Sequence, residues 1–269
     1  MDLQNLFSVK DKVVLVTGGA KGIGLMISTG YVRNGATVYI ASRDAAACEK
    51  AAAELTKAGP GKAYALPADL QKYDDIQRLV AELEKREKCL NVLVNNSGAN
   101  WGETYDKYPD AAFTKVMMLN LQRVFTLTQA CTPLMERAVK EAKDNGGVAD
   151  PARVINIGSI DGIRVPALET YAYSASKAGL HHLSKVLSNH LGKRNITVNV
   201  LACGPFMSKM MAATLEQFRD TIEAGVPLGR IGTPEDVAGT CIWLSSRAGA
   251  YINGAIITVD GGSSRAAKL

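Results

Sequence analysis

The stretch KVVLVTGGAKGIG, residues 12–24, decides the fold. A run of β-branched apolar residues ends there in a glycine-rich turn that leads into a segment with helical character. Glycines at a strand-to-helix turn let the backbone approach a phosphate closely, and the helix N-terminus adds free N–H groups and the positive end of its dipole. Gly18, Gly22 and Gly24 have the spacing G-x-x-x-G-x-G. The stretch predicts a dinucleotide site in the first βα unit, with a mere tight turn as the alternative.

Further apolar runs recur along the chain, at 36–42, 62–68, 91–96, 153–159, 197–202 and 255–260. Segments with helical spacing lie between them, as at 74–88. Near-continuous apolar strands that alternate with helices are typical of a parallel sheet covered on both faces. We therefore predict an α/β fold in which residues 1–269 form a single doubly wound Rossmann domain, with a seven-stranded parallel sheet. The polar run 140–150 predicts an exposed loop.

The end of the second apolar run indicates which dinucleotide is bound. An NAD site typically has a carboxylate about 20 residues after the glycines, whereas an arginine there suits the 2′-phosphate of NADP. Here Ser42 is neutral, and Arg43 lies 19 residues after the last glycine of the turn. Lys21 adds a second cation. These residues predict NADP(H); in the alternative, Asp44 turns inward and Arg43 is a solvated surface charge.

The composition argues against several other classes of function. The 31 basic and 26 acidic residues are interleaved, whereas nucleic-acid binders carry a clustered basic stripe, so we expect no nucleic-acid partner. The five cysteines occur singly, which argues against a disulfide framework or a zinc site and fits a reducing compartment. We expect no metal, no membrane span and no secretory signal. A cytoplasmic location is expected, or a peroxisomal one if the C-terminal Ala267-Lys268-Leu269 acts as a variant of the Ser-Lys-Leu address.

Five motifs stand in register along the chain. They are TGGAKGIG (17–24), NNSG (95–98), Asn120, the apolar run that ends in Ser159, and YSASK (173–177). In this order and spacing they resemble the short-chain dehydrogenase/reductase family, over about residues 10–263. The resemblance implies an oxidoreductase that transfers hydride between NADP(H) and a carbonyl carbon. It also implies a homotetramer, or a dimer.

The segment YAYSASK (171–177) contains two tyrosines and one lysine. On a helix, residues i and i+4 share a face, so Lys177 lies on the face of Tyr173 and not on that of Tyr171. A phenol has a pKa near 10, and a nearby lysine cation stabilises the phenolate. We therefore expect the pKa of Tyr173 to be lowered toward neutrality, which suits a general acid. Tyr173 is the predicted proton donor, and Tyr171 a packing residue.

The resemblance implies roles for further residues. Ser159 would hold the substrate carbonyl oxygen, and Asn120 would hold a water in a proton relay to Lys177. Taken singly, Ser159 also fits a helix cap and Asn120 a helix kink. The implied cofactor contacts are Gly18, Lys21, Gly22, Ile23, Gly24, Ser42, Arg43, Asp69, Leu70, Asn96, Gly98, Tyr173, Lys177, Gly204, Phe206 and Ser208.

The segment LACGPFMSKM (201–210) departs from the family pattern, because Cys203 stands where proline is usual and Ser208 where threonine is usual. It leads into a predicted substrate lid over residues 204–226. Methionines adapt to irregular apolar shapes, although those of the lid are also explained by simple packing. The predicted substrate contacts are Trp101, Ser159, Arg164, Met207 and Met210.

Within the family, NNSGANWGETYDKYP, PARVINIGSIDGI and GPFMSKM resemble the bacterial 3-oxoacyl reductases. This implies a 3-oxoacyl thioester or a related ketone as substrate, with small cyclic or xenobiotic ketones as the alternative. Two other classes of function fit the sequence less well. A serine hydrolase needs G-x-S-x-G, and GSIDG (158–162) has its serine one place off. A non-catalytic NADPH-binding protein would have no need of a tuned phenol.

Overall fold

The centre of the fold is a parallel sheet, seen in a computed structural model that describes residues 2–144, 150–208 and 211–266. Its strands are β1 (Val13–Thr17), β2 (Thr37–Ala41), β3 (Lys62–Ala65), β4 (Val92–Asn95), β5 (Ala152–Ser159), β6 (Ile196–Cys203) and β7 (Ile256–Val259). They form a 7-stranded sheet in the order β3-β2-β1-β4-β5-β6-β7, and all neighbours are parallel. The predicted fold class is confirmed.

Helices cover both faces of the sheet. The α-helices of the described residues are α1 (Leu3–Leu6), α2 (Gly22–Arg33), α3 (Ala45–Ala58), α4 (Tyr73–Arg86), α5 (Asp110–Met117), α6 (Arg123–Asp144), α7 (Tyr171–Gly192), α8 (Ala212–Ala224) and α9 (Pro234–Ser245). Val14 and Val16 of β1 pack into one apolar core with α2, α3 and α9. Val13 and Leu15 pack into a second core with α4, α6 and α7. Because successive side chains point to opposite faces and both faces are buried, the strands are apolar throughout.

The exposed-loop prediction for residues 140–150 needs a correction at its start. Helix α6 continues as far as Asp144, because the residues before it, KEAK, are good helix formers. At the far end, the Asp150 carboxylate is engaged rather than solvated, since it accepts hydrogen bonds from Lys12 and Arg153. Residues 145–149, like Met210 and the C-terminal Ala267-Lys268-Leu269, lie outside the described residues. In the described part, no helix is both long and apolar enough to cross a bilayer.

The strand order places a binding crevice above the centre of the sheet. The chain adds β2 and β3 on one side of β1, and then β4 to β7 on the other. The connections that follow β1 and β4 therefore leave in opposite directions, and the carboxyl ends of these two strands are left uncovered between them. Open α/β sheets bind ligands at such a point.

Candidate active site

A cavity of about 1120 Å³ opens at the carboxyl ends of the strands. It brings together most of the residues that the sequence singled out. Those that line it are Gly18, Lys21, Gly22, Ile23, Ser42, Arg43, Asp69, Leu70, Asn96, Gly98, Ser159, Arg164, Tyr173, Lys177, Gly204, Phe206 and Ser208. Among the described residues, Gly24, Asn120, Trp101 and Met207 are predicted site residues that do not line it.

The glycine turn after β1 has the geometry of a phosphate cradle. Gly18 and Gly22 adopt φ values of +65° and +54°, which residues with a side chain rarely adopt. Gly24 does not line the cavity, but it must lack a side chain, because a Cβ on it would lie 2.2 Å from the Gly18 carbonyl oxygen. The start of α2 can therefore approach the turn closely, and its first residues, Gly22 and Ile23, line the cavity. The residues present fit the diphosphate of a dinucleotide.

Charged residues surround the end of β2, where the sequence indicates the 2′-phosphate site. Lys21 Nζ bonds Asp44 Oδ2 at 2.9 Å, and Asp44 Oδ1 also accepts a hydrogen bond from the Ala47 N–H, so it caps α3. The carboxylate is thereby engaged with a cation and a helix N-terminus. Arg43 is exposed and lines the cavity beside Ser42. This arrangement favours a dianion over a ribose hydroxyl.

Thr17 supports the site from beneath, a role that the sequence did not reveal. Its hydroxyl oxygen accepts hydrogen bonds from the N–H groups of Asn96 and Ser97, each at 2.9 Å. The Asn96 side chain in turn donates to the Thr17 carbonyl oxygen at 2.9 Å. The ends of β1 and β4 are thus tied together under the cavity. Thr17 begins the motif TGGAKGIG, but nothing in that motif indicates a hydrogen bond to the segment after β4.

Ser159, Tyr173 and Lys177 meet at the floor of the cavity. Ser159 ends β5, and its hydroxyl oxygen accepts the Asp161 N–H at 3.1 Å, so it does cap the short helix that follows. Lys177 Nζ donates to the Ile157 carbonyl oxygen at 2.7 Å and lies 5.5 Å from the centroid of the Tyr173 ring. The i,i+4 prediction for Tyr173 and Lys177 is confirmed in its geometry.

The expected lowering of the Tyr173 pKa is wrong for this arrangement. Burial raises the pKa of Tyr173 to about 12, and a hydrogen bond with Ser159 only partly offsets that effect. The Lys177 cation is directed at a backbone carbonyl, and burial lowers the pKa of its own amine to about 8. The i,i+4 spacing predicts that the two residues share a helix face, but it does not indicate that burial desolvates both side chains.

Asn120 lies beside the cavity, within a π-helical segment (Met118–Gln122) between α5 and α6. Its Nδ2 donates to the Ala99 carbonyl oxygen at 2.9 Å and to Ser176 Oγ at 3.0 Å, and its Oδ1 accepts the Ala99 N–H at 2.8 Å. A Cβ on Gly98 would lie 3.2 Å from Asn120 Oδ1 and 3.9 Å from Lys177 Nζ. The bare glycine therefore leaves open the space between these two polar groups.

Tyr171 lies outside the cavity wall. Its hydroxyl donates to Glu169 at 2.7 Å, and its ring packs edge-on against Tyr105 and Tyr108. The packing role expected from its position on the helix is what the structure shows.

The substrate end of the cavity differs in detail from the prediction. Arg164 Nη1 donates to the Ser263 carbonyl oxygen at 2.9 Å, so this guanidinium holds the C-terminal segment as well as lining the cavity. Trp101 and Met207 are both 44% exposed and do not line the wall. Their neighbours Asn100 and Met211 do line it. Of the predicted substrate contacts, Ser159 and Arg164 line the cavity and Trp101 and Met207 do not.

Helix α8 supplies part of the predicted lid. It kinks at Phe218, where φ is −130° and ψ is 22°, and Phe218 and Ile222 line the cavity. Leu168 lines the cavity from the loop after β5. These apolar side chains were missed because nothing in the local pattern distinguishes a residue that faces a cavity from one that faces a core.

Comparison with known proteins agrees with this geometry. A family model described as enoyl-(acyl carrier protein) reductase matches residues 18–264. The chain belongs to the short-chain dehydrogenase/reductase family. It is 42% identical over 258 residues to a rhamnolipids biosynthesis 3-oxoacyl-[acyl-carrier-protein] reductase of Pseudomonas aeruginosa, covering 95% of this chain and 97% of the relative. It is 34% identical to the short-chain dehydrogenase/reductase PhomF of Diaporthe leptostromiformis, over 96% of this chain and 93% of that one.

Solved structures of the family superpose closely on the chain. The Pseudomonas aeruginosa RhlG/NADP active-site complex matches with a TM-score of 0.90 and 40% identity, covering 97% of this chain and 99% of that chain. A putative NAD(P) dependent gluconate 5-dehydrogenase from Beutenbergia cavernae with bound NADP matches with a TM-score of 0.86 and 29% identity, covering 96% and 98%. These family members bind NADP on the fold described here.

Proposed function

We propose that this chain is an NADP(H)-dependent oxidoreductase that reduces the ketone of a 3-oxoacyl thioester, with Tyr173 as the proton donor. The observation that carries the proposal is the meeting of Ser159, Tyr173 and Lys177 in one cavity with the phosphate cradle. Relatives that act on 3-oxoacyl groups or bind NADP support the substrate class and the cofactor.

The geometry supports a separate role for each of these residues. The bound cofactor supplies the hydride. The Ser159 hydroxyl is placed to donate a hydrogen bond to the substrate carbonyl oxygen, where negative charge develops. The Tyr173 phenol, which is neutral because its pKa is about 12, holds a proton ready for that oxygen. Lys177 would hold the cofactor ribose, and its Nζ lies 5.5 Å from the centroid of the Tyr173 ring.

The tyrosine is reprotonated through the gap beside Gly98. A water in this gap would bridge Asn120 Oδ1 and Lys177 Nζ, since both atoms face the space that the glycine leaves open. Asn120 is held in place for this by Ala99 and Ser176. The bonds that hold Asn120 within its π-helical segment thus also hold it in place for the proposed proton relay.

NADPH consumption by the purified protein tests the proposal. The substrates are 3-oxoacyl thioesters of increasing chain length, 3-oxoesters and bulky cyclic ketones, with Tyr173→Phe as the inactive control. Turnover of the thioesters that is lost in Tyr173→Phe supports the proposal. Tight NADPH binding without turnover of any ketone would favour a non-catalytic NADPH-binding protein instead.

A second substrate class is favoured by the cavity volume of about 1120 Å³ and by the apolar lining residues Leu168, Phe218 and Ile222. A cyclic ketone would fill this space as well as an acyl chain does. One relative that is 30% identical over 94% of this chain is a 3alpha-hydroxysteroid dehydrogenase of Mediterraneibacter gnavus. Turnover of cyclic ketones alone would select this alternative and leave the roles of Ser159, Tyr173 and Lys177 unchanged.

Assembly and address are further parts of the proposal. We expect a homotetramer or a dimer in solution, which light scattering on the purified chain would measure. We expect a reporter that carries the last residues of the chain to reach peroxisomes only if Leu269 is present; a diffuse signal with and without Leu269 would leave the cytoplasm as the location.

A further inference from the structure

His181 occupies an unexplained position behind the catalytic residues. It lies on α7 one turn after Lys177 and two turns after Tyr173, and only 4% of its surface is exposed. Its Nε2 atom is buried, and among the described residues it has no hydrogen-bond partner. Burying an unpaired polar atom costs stability, and no hydrogen bond of Nε2 within the described residues offsets that cost.

The imidazole ring packs against both ends of the turn that carries Ser159. A Cβ on Gly158 would lie 2.4 Å from Nε2 and 3.0 Å from Cδ2 of His181, and a Cβ on Gly162 would lie 2.9 Å from Cε1. Both glycines therefore let the backbone touch the ring. The turn from Gly158 to Gly162 is held around the imidazole, with Ser159 inside it.

The ring also lies next to the Lys177 anchor. Lys177 Nζ bonds the carbonyl oxygen of Ile157, the residue before Gly158. Burial, together with the Lys177 cation, lowers the pKa of His181 to about 4, so the ring is neutral at neutral pH. Two consecutive residues of β5 are thus attached to α7, one by the lysine and one by the histidine ring.

We propose that His181 is a positioning residue, whose ring is a rigid spacer that sets the distance between the Ser159 turn and the face of α7 that carries Tyr173 and Lys177. The proposal rests on the function proposed above for these three residues. It uses the shape of the ring and none of its acid–base chemistry. A side chain of similar volume should therefore serve, and a small one should not.

The first test compares His181→Ala, His181→Leu and His182→Ala in turnover of the best ketone. His182 is the exposed neighbour on the same helix and is the matched control. A shift of about 1 Å in a reacting group can cost up to about 100-fold in rate. We expect His181→Ala to lower kcat about 10-fold while the Kd for NADPH stays within twofold, and His181→Leu and His182→Ala to stay within about threefold of wild type. Unchanged kcat in His181→Ala would overturn the proposal, as would equal losses in His181→Ala and His181→Leu.

The second test uses the reciprocal contact. Gly158→Ala places a methyl group against the ring and should lower kcat about 10-fold or more. Adding His181→Ala to Gly158→Ala should then raise kcat again. The recovery should be partial, because Val200 Cγ1 also lies 2.7 Å from the added Cβ. Gly239→Ala is the control, since a Cβ there meets nothing within 4 Å. A further fall in the double variant, as expected for independent losses, would overturn the spacer role.

Failure of this inference is distinguishable from failure of the proposed function. Activity that survives Tyr173→Phe would reject the function, whatever the histidine variants do. Thermal melts of wild type, Gly158→Ala, His181→Ala and the double variant test the contact without any substrate. Non-additive shifts support the packing of ring on turn, and strictly additive shifts would overturn it even if turnover is never found.

Discussion

Lys177 Nζ donates a hydrogen bond to the Ile157 carbonyl oxygen at 2.7 Å, so a buried ammonium group on α7 is fixed to the strand that ends in Ser159. The ammonium group is kept at a cost, since burial lowers its pKa from 10.5 to about 8. The buried charge of Lys177 therefore lowers the stability of the fold around the site.

Lys177→Met should stabilise the protein while abolishing turnover. Relief of desolvation is worth roughly 3 kcal/mol for a pKa that falls from 10.5 to about 8, and loss of the charged hydrogen bond opposes it by roughly 2 kcal/mol. We expect the free energy of unfolding at pH 7 to rise by about 1 kcal/mol. Urea unfolding measures it, with Lys185→Met on the exposed side of α7 as the control.

The same comparison has a definite pH dependence. The pKa of this lysine is 10.5 in the unfolded chain and about 8 in the folded chain. Between these two pH values the unfolded chain therefore binds more protons than the folded chain does. Wild-type stability from this residue therefore rises with pH across that window. The advantage of Lys177→Met should shrink as the pH is raised above about 8; an advantage that grows would contradict the assignment of the buried amine.

Tyr173→Phe should lower kcat by about 100- to 10,000-fold, the usual contribution of a positioned general acid. Its Kd for NADPH should change little, because the ring and its contacts remain. Tyr171→Phe is the matched control, since that hydroxyl bonds the exposed Glu169 outside the cavity. Stopped-flow or steady-state NADPH oxidation gives both constants, and a loss in the control alone would reverse the two roles.

Arg43→Ala should weaken NADPH binding by about 10- to 100-fold and leave NADH binding unchanged. A hydrogen bond to a charged group is worth about 1.5–3 kcal/mol, and each 1.4 kcal/mol is tenfold in Kd. Lys50→Ala, on the outer side of α3, keeps the same change of charge without touching the cavity. Fluorescence titration with both dinucleotides decides the matter: equal losses for NADPH and NADH would remove Arg43 from the 2′-phosphate site.

Asp236→Asn should destabilise the start of α9. The Arg230 guanidinium bonds both oxygens of Asp236, at 2.6 and 3.1 Å, and holds the pKa of that carboxyl at about 2. Asp236 also closes a capping box with Thr233. We expect a loss of about 1 kcal/mol at pH 7.

The stability that Asp236 contributes is present above its unfolded pKa of 3.8 and is lost as the pH falls toward about 2. The difference between wild type and Asp236→Asn should therefore narrow below about pH 4. Glu235→Gln, at the exposed neighbouring position of the same helix, is the matched control. Urea midpoints measured from pH 6 downward provide the comparison.

The sheet and the spacing of Tyr173 and Lys177 could be predicted from the sequence, because both depend on local periodicity. The environment of those residues could not. Asn120 is held in its π-helical turn by hydrogen bonds to Ala99 and Ser176, which lie 21 and 56 positions away in the sequence. The kink at Phe218 and the packing of His181 on Gly158 likewise depend on contacts between distant segments, and no local pattern encodes them.

The residues that line the cavity come from segments between Gly18 and Ser263. The floor of the cavity is complete only when β1, β4, β5 and β6 have all joined the sheet. No contiguous fragment carries the whole binding surface. Binding of the dinucleotide is therefore linked to folding of the entire chain, and by mass action it adds about 2.7 kcal/mol of stability when the free ligand exceeds its Kd a hundredfold. We therefore expect NADP(H) to slow proteolysis of the chain, because the unfolded chain becomes a smaller fraction of the total.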